Sequence, residues 1–244
     1  MAMAPSAYLP AVASPISDAL DSPRHSALVR VTHWINTVSF VGLLISGFAI
    51  LLAHPRFYWG ETGALGTPAL FDLPLPFMRS GPSGWGRNLH FLSAWVGVLN
   101  GALYVLSGIL TRHFRKNLLP ARANLSWSSI ARAVSDHLRL KFSGVETSRA
   151  YNLIQRLTYL AVVFVLFPVI IWTGFAMAPA IVAVFPVFVT VLGGQQSART
   201  LHFFASDLLV LFVLVHLAMV CLAGFKNRVG AMITGRVTAG KDRT

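Results

Sequence analysis

Four histidines lie within or at the start of long apolar stretches of the chain: His33, His90, His202 and His216. An imidazole is costly inside a membrane, so each of these positions predicts a function. His202 and His216 are 14 residues apart. At roughly 100° and 1.5 Å per residue, this spacing returns to nearly the same helix face about 21 Å further along. One helix therefore offers two imidazoles to the interior of a bundle, one near each membrane surface.

The order of the apolar stretches selects a partner for each histidine. His90 and His202 enter from one membrane surface, whereas His33 enters from the other and can meet His216. Two imidazole pairs at two depths are what bis-histidine ligation of two non-covalent b haems requires. The single cysteine, Cys221, excludes an internal disulfide, a Cys-based zinc site and covalent haem attachment. A zinc or di-iron site would need Cys or Glu ligands that the apolar stretches lack.

Arginines and glycines near these histidines fit the same chemistry. Three of the histidines follow an arginine by three residues, which places both side chains on one helix face: the arginines are Arg30, Arg87 and Arg199. We expect them to pair with haem propionates; the alternative is that they are ordinary interfacial anchors. Gly47 and Gly174 could leave room for the porphyrins, although glycine also serves close helix contact. His113, at the end of an apolar stretch, is a rival ligand.

Composition identifies the class of protein that must hold these groups. Hydrophobic residues make up 55% of the 244 residues and charged residues 11%, which is far from an ordinary soluble domain. Four apolar stretches, at about 33–53, 90–111, 153–178 and 201–225, are long enough to cross a bilayer as helices. The predicted fold is an all-α, four-helix transmembrane bundle. The net charge of +12 does not indicate nucleic-acid binding, because charged and apolar residues occupy separate stretches.

The distribution of Lys and Arg predicts the orientation. Sixteen of the 20 lie in the N-terminal segment, the segment between the second and third spans, and the C-terminal segment. The positive-inside rule then places both termini in the cytoplasm. We predict a flexible cytoplasmic tail at 1–26, a dihaem membrane domain at 27–228 and a basic cytoplasmic tail at 229–244. Residues 126–142 have the pattern of an amphipathic helix on the inner leaflet, or else form a solvated basic loop.

The loop on the opposite side, residues 54–88, is rich in Pro, Gly and aromatic residues. It is too long for a simple turn, so we expect an ordered docking surface or an interfacial lid. Six aromatic residues would form that surface, since aromatic side chains are enriched in interface cores. They are Phe57, Tyr58, Trp59, Phe71, Phe77 and Trp85.

Two short similarities indicate an internal repeat. The letters ISGFAI at 45–50 resemble WTGFAM at 172–177, and LHFLSA at 89–94 resembles LHFFAS at 201–206. The bundle is then two helical hairpins related by repetition, in which His90 and His202 occupy equivalent positions.

At these residues the sequence resembles the bacterial dihaem cytochrome b561-type superfamily, which includes cytochrome b subunits of formate dehydrogenase, nickel-iron hydrogenase and thiosulfate reductase. The resemblance covers about residues 24–236. It rests on Arg30-x-x-His33-Trp34, Ser46-Gly47, Leu89-His90, and the spacing of His202 and His216. It implies a bacterial inner-membrane anchor that exchanges electrons with a quinone pool on the inner side and an extracytoplasmic redox subunit on the outer side.

By position in that resemblance, His33 and His216 would hold the inner haem and His90 and His202 the outer haem. Asn36, Arg112 and His113 are the residues that could contact quinone or move its protons. The aromatic outer loop is most similar to that of thiosulfate reductase cytochrome b subunits, which implies a molybdopterin oxidoreductase as partner. The formate dehydrogenase and hydrogenase types have shorter loops, so their partners fit this chain less well.

Two other functions are compatible with the residues. A stand-alone oxidase of superoxide or another small oxidant would use the same haems without docking a partner at the outer loop. A haem-free transporter or assembly anchor would use the histidines to shuttle protons or bind a metal transiently. A reduced-minus-oxidised visible spectrum discriminates between the haem-containing and haem-free alternatives.

Overall fold

The computed structural model describes residues 26–63, 66–75, 84–112, 154–222 and 224–235, with the single residues 114, 128, 131 and 135. Four helices in these ranges are long and apolar enough to cross a membrane: α1 (Ala27–Ala53), α2 (Trp85–Leu110), α3 (Ile154–Ala176) and α6 (Gln195–Leu222). Shorter elements complete the described chain: β1 (Arg56–Phe57), β2 (Phe71–Asp72), α4 (Pro179–Val184), α5 (Val187–Thr190) and α7 (Phe225–Thr234). The predicted all-α, four-helix membrane fold is confirmed.

Three of the four spanning helices begin earlier than the apolar stretches predict. α1 begins at residue 27 instead of 33, α2 at 85 instead of 90, and α6 at 195 instead of 201. For α2 and α6 the reason is that the first turn contains polar residues, which are helical without being apolar. Ser26 is the N-cap of α1: its Oγ accepts a 3.4 Å hydrogen bond from the backbone N–H of Val29.

Small polar side chains pack between the first two helices, while most large apolar side chains face outward. Asn100 of α2 donates to the Thr32 carbonyl (2.8 Å) and to Asn36 Oδ1 (2.7 Å) of α1. A Cβ at Gly42 would collide with Ser93 Oγ, so the absence of a side chain lets the two backbones approach. Membrane helices associate through small and polar residues in this way, because lipid offers no hydrophobic driving force.

A π-helical turn interrupts α3 at Val162–Leu166. The backbone N–H of Phe167 bonds to the carbonyl of Val162, five residues earlier. Pro168 follows at once and has no N–H to donate, so the usual helical ladder is broken at this position.

A short β-ribbon covers one end of the bundle. β1 and β2 pair antiparallel, with Phe57 opposite Phe71. Phe57 is 1% exposed, and its ring centre lies 4.7 Å from that of Phe71 and 4.5 Å from that of Phe203 in α6. We call this the loop end of the bundle: α1 and α3 end here, and α2 and α6 begin here.

Gly194 lets the ribbon approach α6 closely. Its φ is +116°, which side chains rarely adopt, and a Cβ there would collide with the backbone of Gly60. The backbone N–H of Gly60 in turn donates to Ser197 Oγ at 2.8 Å. The described part of the loop at 54–88 is therefore ordered against the first turns of α6.

At the opposite end, α7 packs against α1. Arg30 Nη1 donates to the Ile233 carbonyl (2.7 Å), and Trp34 Nε1 donates to the Met232 carbonyl (3.3 Å). The tail that we predict from residue 229 is thus helical as far as Thr234, and Gly235, at φ +82°, ends the helix. The predicted N-terminal tail to residue 25, the amphipathic helix at 126–142 apart from three isolated residues, and the tail from 236 onward lie outside the described residues.

Candidate functional site

The structure brings His90 of α2 and His202 of α6 together near the loop end. Their ring centres are 6.2 Å apart and the ring planes are inclined by 62°. Each histidine lies near the start of its helix, His90 as the sixth residue of α2 and His202 as the eighth of α6, at equivalent positions of the two hairpins. The two rings therefore face each other across the bundle interior.

Each ring is held through Nδ1 by a hydroxyl from the preceding helix of its own hairpin. Ser46 Oγ of α1 lies 3.0 Å from His90 Nδ1, and Thr173 Oγ1 of α3 lies 2.9 Å from His202 Nδ1. Sequence analysis did not single out either hydroxyl as a contact to histidine. The repeat contained the signal, because Ser46 and Thr173 each precede one of the matched glycines.

Those glycines lie beside the same rings. A Cβ at Gly47 would be 3.7 Å from Cε1 of His90, and one at Gly174 would be 3.6 Å from Cε1 of His202. Both are ordinary van der Waals distances, so the rings alone do not require glycine. The two absent side chains leave a cradle beside each imidazole that a Cβ would fill.

The pair fits an iron bound between two imidazoles. A metal–imidazole bond of roughly 2 Å on each side and a ring radius of about 1 Å place the ring centres about 6 Å apart. With Nδ1 of each ring directed to a hydroxyl, Nε2 is the nitrogen left for a metal. Among the described residues no group of three or more His, Cys, Asp or Glu could hold a metal ion.

The two histidines predicted for the inner haem have aromatic surroundings. His33 stands edge-to-face against Trp34, with ring centres 5.4 Å apart. The His216 ring stacks on Phe212 at 5.9 Å and meets the edge of Tyr159 at 6.4 Å. Pairing of His33 with His216 stays a prediction.

Tyr159 and its neighbour Gln155 are polar residues beside His216 that the sequence did not single out. Gln155 Nε2 donates to the Tyr159 hydroxyl at 2.9 Å. Both lie on α3, four residues apart, near its start. The apolar pattern alone does not select Tyr159. Only the contact of its ring with His216 in the structure identifies it as part of the site.

Two of the three arginines converge at the loop end. Arg199 donates to the backbone carbonyl of His54, and its guanidinium carbon lies 5.0 Å from the centre of the Phe57 ring. Partial burial, followed by the charges of Arg199 and Arg87, lowers the pKa of the His54 side chain below its ordinary value. Arg87 is exposed. A cationic cluster of Arg87 and Arg199 therefore stands around His54, two turns or less from the paired imidazoles.

The remaining predicted residues have separate positions. Arg30 donates a hydrogen bond to the Ile233 carbonyl of α7, and Asn36 accepts one from Asn100. Arg112 is exposed after the end of α2 with a φ of +54°, and His113 lies outside the described residues.

Comparisons with known proteins agree with this architecture. A family model described as prokaryotic cytochrome b561 matches residues 24–235. A relative from Azospira oryzae, named as a protein-methionine-sulfoxide reductase subunit YedZ1, is 32% identical over 203 residues, 81% of this chain and 90% of the relative. The formate dehydrogenase cytochrome b556(fdo) subunit of Escherichia coli K12 is 26% identical over 221 residues, 88% of this chain and 85% of that subunit. No solved structure matches the chain significantly.

Proposed function

The chain belongs to the prokaryotic cytochrome b561 family of membrane electron-transfer subunits, and on that premise we propose that it is a dihaem cytochrome linking a quinone pool to an extracytoplasmic redox enzyme. Family membership implies b haem and an integral membrane protein. It also removes the support for a haem-free transporter. The number of haems, the quinone and the partner are our proposal.

The observation that carries the proposal is the pairing of His90 and His202. Nε2 of both rings would ligate the outer haem, with Gly47 and Gly174 leaving space for its macrocycle. A bound b haem supplies a one-electron carrier that the protein itself lacks. The contribution of the chain is to hold the two imidazoles at the right separation and to exclude water from between four helices.

The proposed inner haem would be ligated by His33 and His216. His216 is 14 residues beyond His202 on the same helix, which supports a second site on the same face toward the opposite end. The aromatic rings of Phe212 and Tyr159 beside His216 would form part of an apolar wall.

The arginines would neutralise haem propionates at the two membrane surfaces. Support is strongest at the loop end, where Arg87 and Arg199 gather around His54 without a described carboxylate to pair with them. Propionates placed there would relieve the repulsion between the two guanidinium groups. Arg30 would serve the inner haem through the N–H groups that it does not use on Ile233.

Quinone would bind at the opposite end, which we propose faces the cytoplasm, at Asn36, Arg112 and His113, the last of which lies outside the described residues. These residues would contact the quinone carbonyls or move its protons. Because Asn36 is already bonded to Asn100, the proposal relies more on Arg112 and His113. Both termini would be cytoplasmic in the bacterial inner membrane, on the strength of the Lys and Arg distribution.

The partner would be an extracytoplasmic redox subunit, and we propose a molybdopterin oxidoreductase. Both relatives described above are named as subunits of redox enzymes, one of a reductase and one of a dehydrogenase. The ordered loop end offers Trp59 and Trp85, which are 58% and 52% exposed, as aromatic contacts. Phe57 and Tyr58 are buried in the packing of the loop itself and are removed from the predicted docking surface.

The test is the haem content of the purified protein. Pyridine haemochrome analysis should give two b haems per chain, extractable in acidified solvent because Cys221 cannot form a two-cysteine attachment. His90→Leu should remove one of them. The matched control is His54→Gln, which removes a histidine from the same end and should retain both. An absence of b-type bands in folded protein would overturn the proposal, and one haem per chain would overturn the two-site assignment.

A further inference from the structure

We propose that Ser46 and Thr173 are positioning residues: their hydroxyl oxygens accept the Nδ1 protons of His90 and His202 and so hold both Nε2 atoms ready for the iron. The inference rests on the proposed function, because it concerns residues that touch the ligands of the outer haem. It adds a role for two side chains that form no bond to the haem.

The argument begins with the single proton of the Ser46 hydroxyl. Ser46 Oγ lies 2.6 Å from the Gly42 carbonyl oxygen and 3.2 Å from that of Leu43. Carbonyl oxygens only accept, so the hydroxyl proton is committed to the backbone of its own helix. The oxygen that faces His90 at 3.0 Å therefore has only lone pairs to offer. His90 must donate, which places its proton on Nδ1.

Thr173 repeats this arrangement in the second hairpin. Its Oγ1 donates to the carbonyls of Val169 (2.8 Å) and Ile170 (3.0 Å), and the same oxygen lies 2.9 Å from His202 Nδ1. Because the Thr173 hydroxyl proton is also committed to its own helix, His202 must donate from Nδ1 as His90 does.

Because both hydroxyls are buried, their contacts determine which nitrogen of each histidine carries the proton. Ser46 is 0% exposed and Thr173 is 1% exposed, so bulk water does not reach them. In a neutral imidazole one nitrogen carries the proton and the other carries the lone pair. With the proton on Nδ1, the lone pair is on Nε2 before any haem arrives. A hydrogen bond from the far nitrogen also fixes the ring orientation and makes the ligating nitrogen more basic.

The two hydroxyls should act on a single iron. Ser46 and Thr173 precede Gly47 and Gly174, and each supports one of two rings whose centres are 6.2 Å apart. Loss of either hydroxyl therefore weakens one of the two bonds to the same haem. Ser46 and Thr173 bond to His90 and His202 and not to His33 or His216, so the proposed inner haem provides a reference within the same molecule.

The test compares Ser46→Ala, Thr173→Val and the double variant with the parent protein in detergent. Outer-haem retention during dilution should fall roughly 10- to 100-fold, as is typical when a partner behind a metal ligand is removed. The midpoint potential of the outer haem, followed by optical redox titration, should move upward. The reason is that a less basic imidazole stabilises the ferric state less. The inner-haem potential should not move.

Ser107→Ala is the matched control. Ser107 Oγ donates to the Tyr104 carbonyl at 2.8 Å within α2, so this variant loses a hydroxyl–carbonyl bond in a spanning helix without touching a histidine. The exchanged residues Ser46→Thr and Thr173→Ser retain the acceptor. They should restore both haem retention and potential, which a purely structural role would not produce.

The outcomes separate the two proposals. If Ser46→Ala and Thr173→Val retain the parental outer-haem potential and retention, as Ser107→Ala does, the positioning role is wrong although the cytochrome assignment stands. If an alanine variant does not fold, the conservative exchanges decide: failure of Ser46→Thr to keep the parental potential also counts against the role. A parent protein without b-type bands would overturn the proposed function instead.

Discussion

The hydroxyl of Thr200 donates a 2.7 Å hydrogen bond to the backbone carbonyl of Tyr58, which fastens the outer loop to α6 two residues before His202. Thr200 is 1% exposed, so the bond is shielded from water. Arg199 and Ser197 hold the same loop from the same helix turn. The covering loop and one imidazole of the candidate site are therefore parts of one packed unit, and damage to the loop should reach the site.

Phe57→Ala should destabilise that unit. Removing a fully buried phenylalanine from its contacts with Phe71 and Phe203 costs about 3–5 kcal/mol. Thermal unfolding in detergent should show the loss, together with weaker retention of the outer haem. Trp59→Ala is the control, because Trp59 is exposed and should affect only crosslinking to the partner. Equal stability of the two variants would contradict the assigned roles.

Gly47→Ala and Gly174→Ala should show whether these glycines are needed for haem binding or for helix packing. A Cβ at either position meets its histidine ring at an ordinary distance, so the fold should tolerate it. The outer haem should be lost or weakened because the new methyl fills its cradle. Gly97→Ala is the matched control, because its Cβ would lie 3.7 Å from Ser39 Cβ, away from the paired histidines. Haem stoichiometry and thermal stability are the two measurements, and unchanged haem content in both variants would refute the cradle.

His216→Leu and His202→Leu should interrupt electron transfer at two different steps. His216→Leu removes an inner ligand, so one haem and quinol-linked reduction should be lost while dithionite still reduces the outer haem. His202→Leu should leave quinol able to reduce the inner haem but stop transfer to the outer partner. Stopped-flow spectra with a soluble quinol follow both reactions.

The opposite result would reverse the proposed direction across the membrane. If His202→Leu abolishes quinol reduction and His216→Leu retains it, quinone binds at the loop end. Reporter fusions to the two termini provide an independent check, because both should report a cytoplasmic location.

His54 should make stability depend on pH. Burial first, and then the charges of Arg199 and Arg87, lower the pKa of His54 in the folded protein. Below about pH 6.5 the unfolded chain takes up a proton that the folded protein resists, so stability falls as pH decreases. His54→Gln should match the parent at pH 8 and be the more stable of the two at pH 5.5. Thermal unfolding across this range tests it, and parallel curves would argue against the shift.

The sequence was sufficient to predict the spans and the two imidazoles that meet at the loop end. Four long apolar stretches can satisfy their backbone hydrogen bonds in a bilayer only as helices, and this constraint operates locally. His90 and His202 begin the second and fourth stretches, so antiparallel order alone places them at one end. The helix starts were less accurate, since the polar first turns of α2 and α6 lie outside the apolar window.

Tertiary structure decided which side chains act around those histidines. Serine and threonine are common in membrane helices, and only contact across a hairpin distinguishes Ser46 and Thr173 from Ser107. The outer loop shows the same limit: Phe57 and Trp59 are both aromatic, yet one is buried on α6 and the other faces outward. Such differences arise from partners on other elements, 44 residues away for Ser46, 29 for Thr173, and on α6 for Phe57. Hydrophobicity and helical period, being local, carry no information about them.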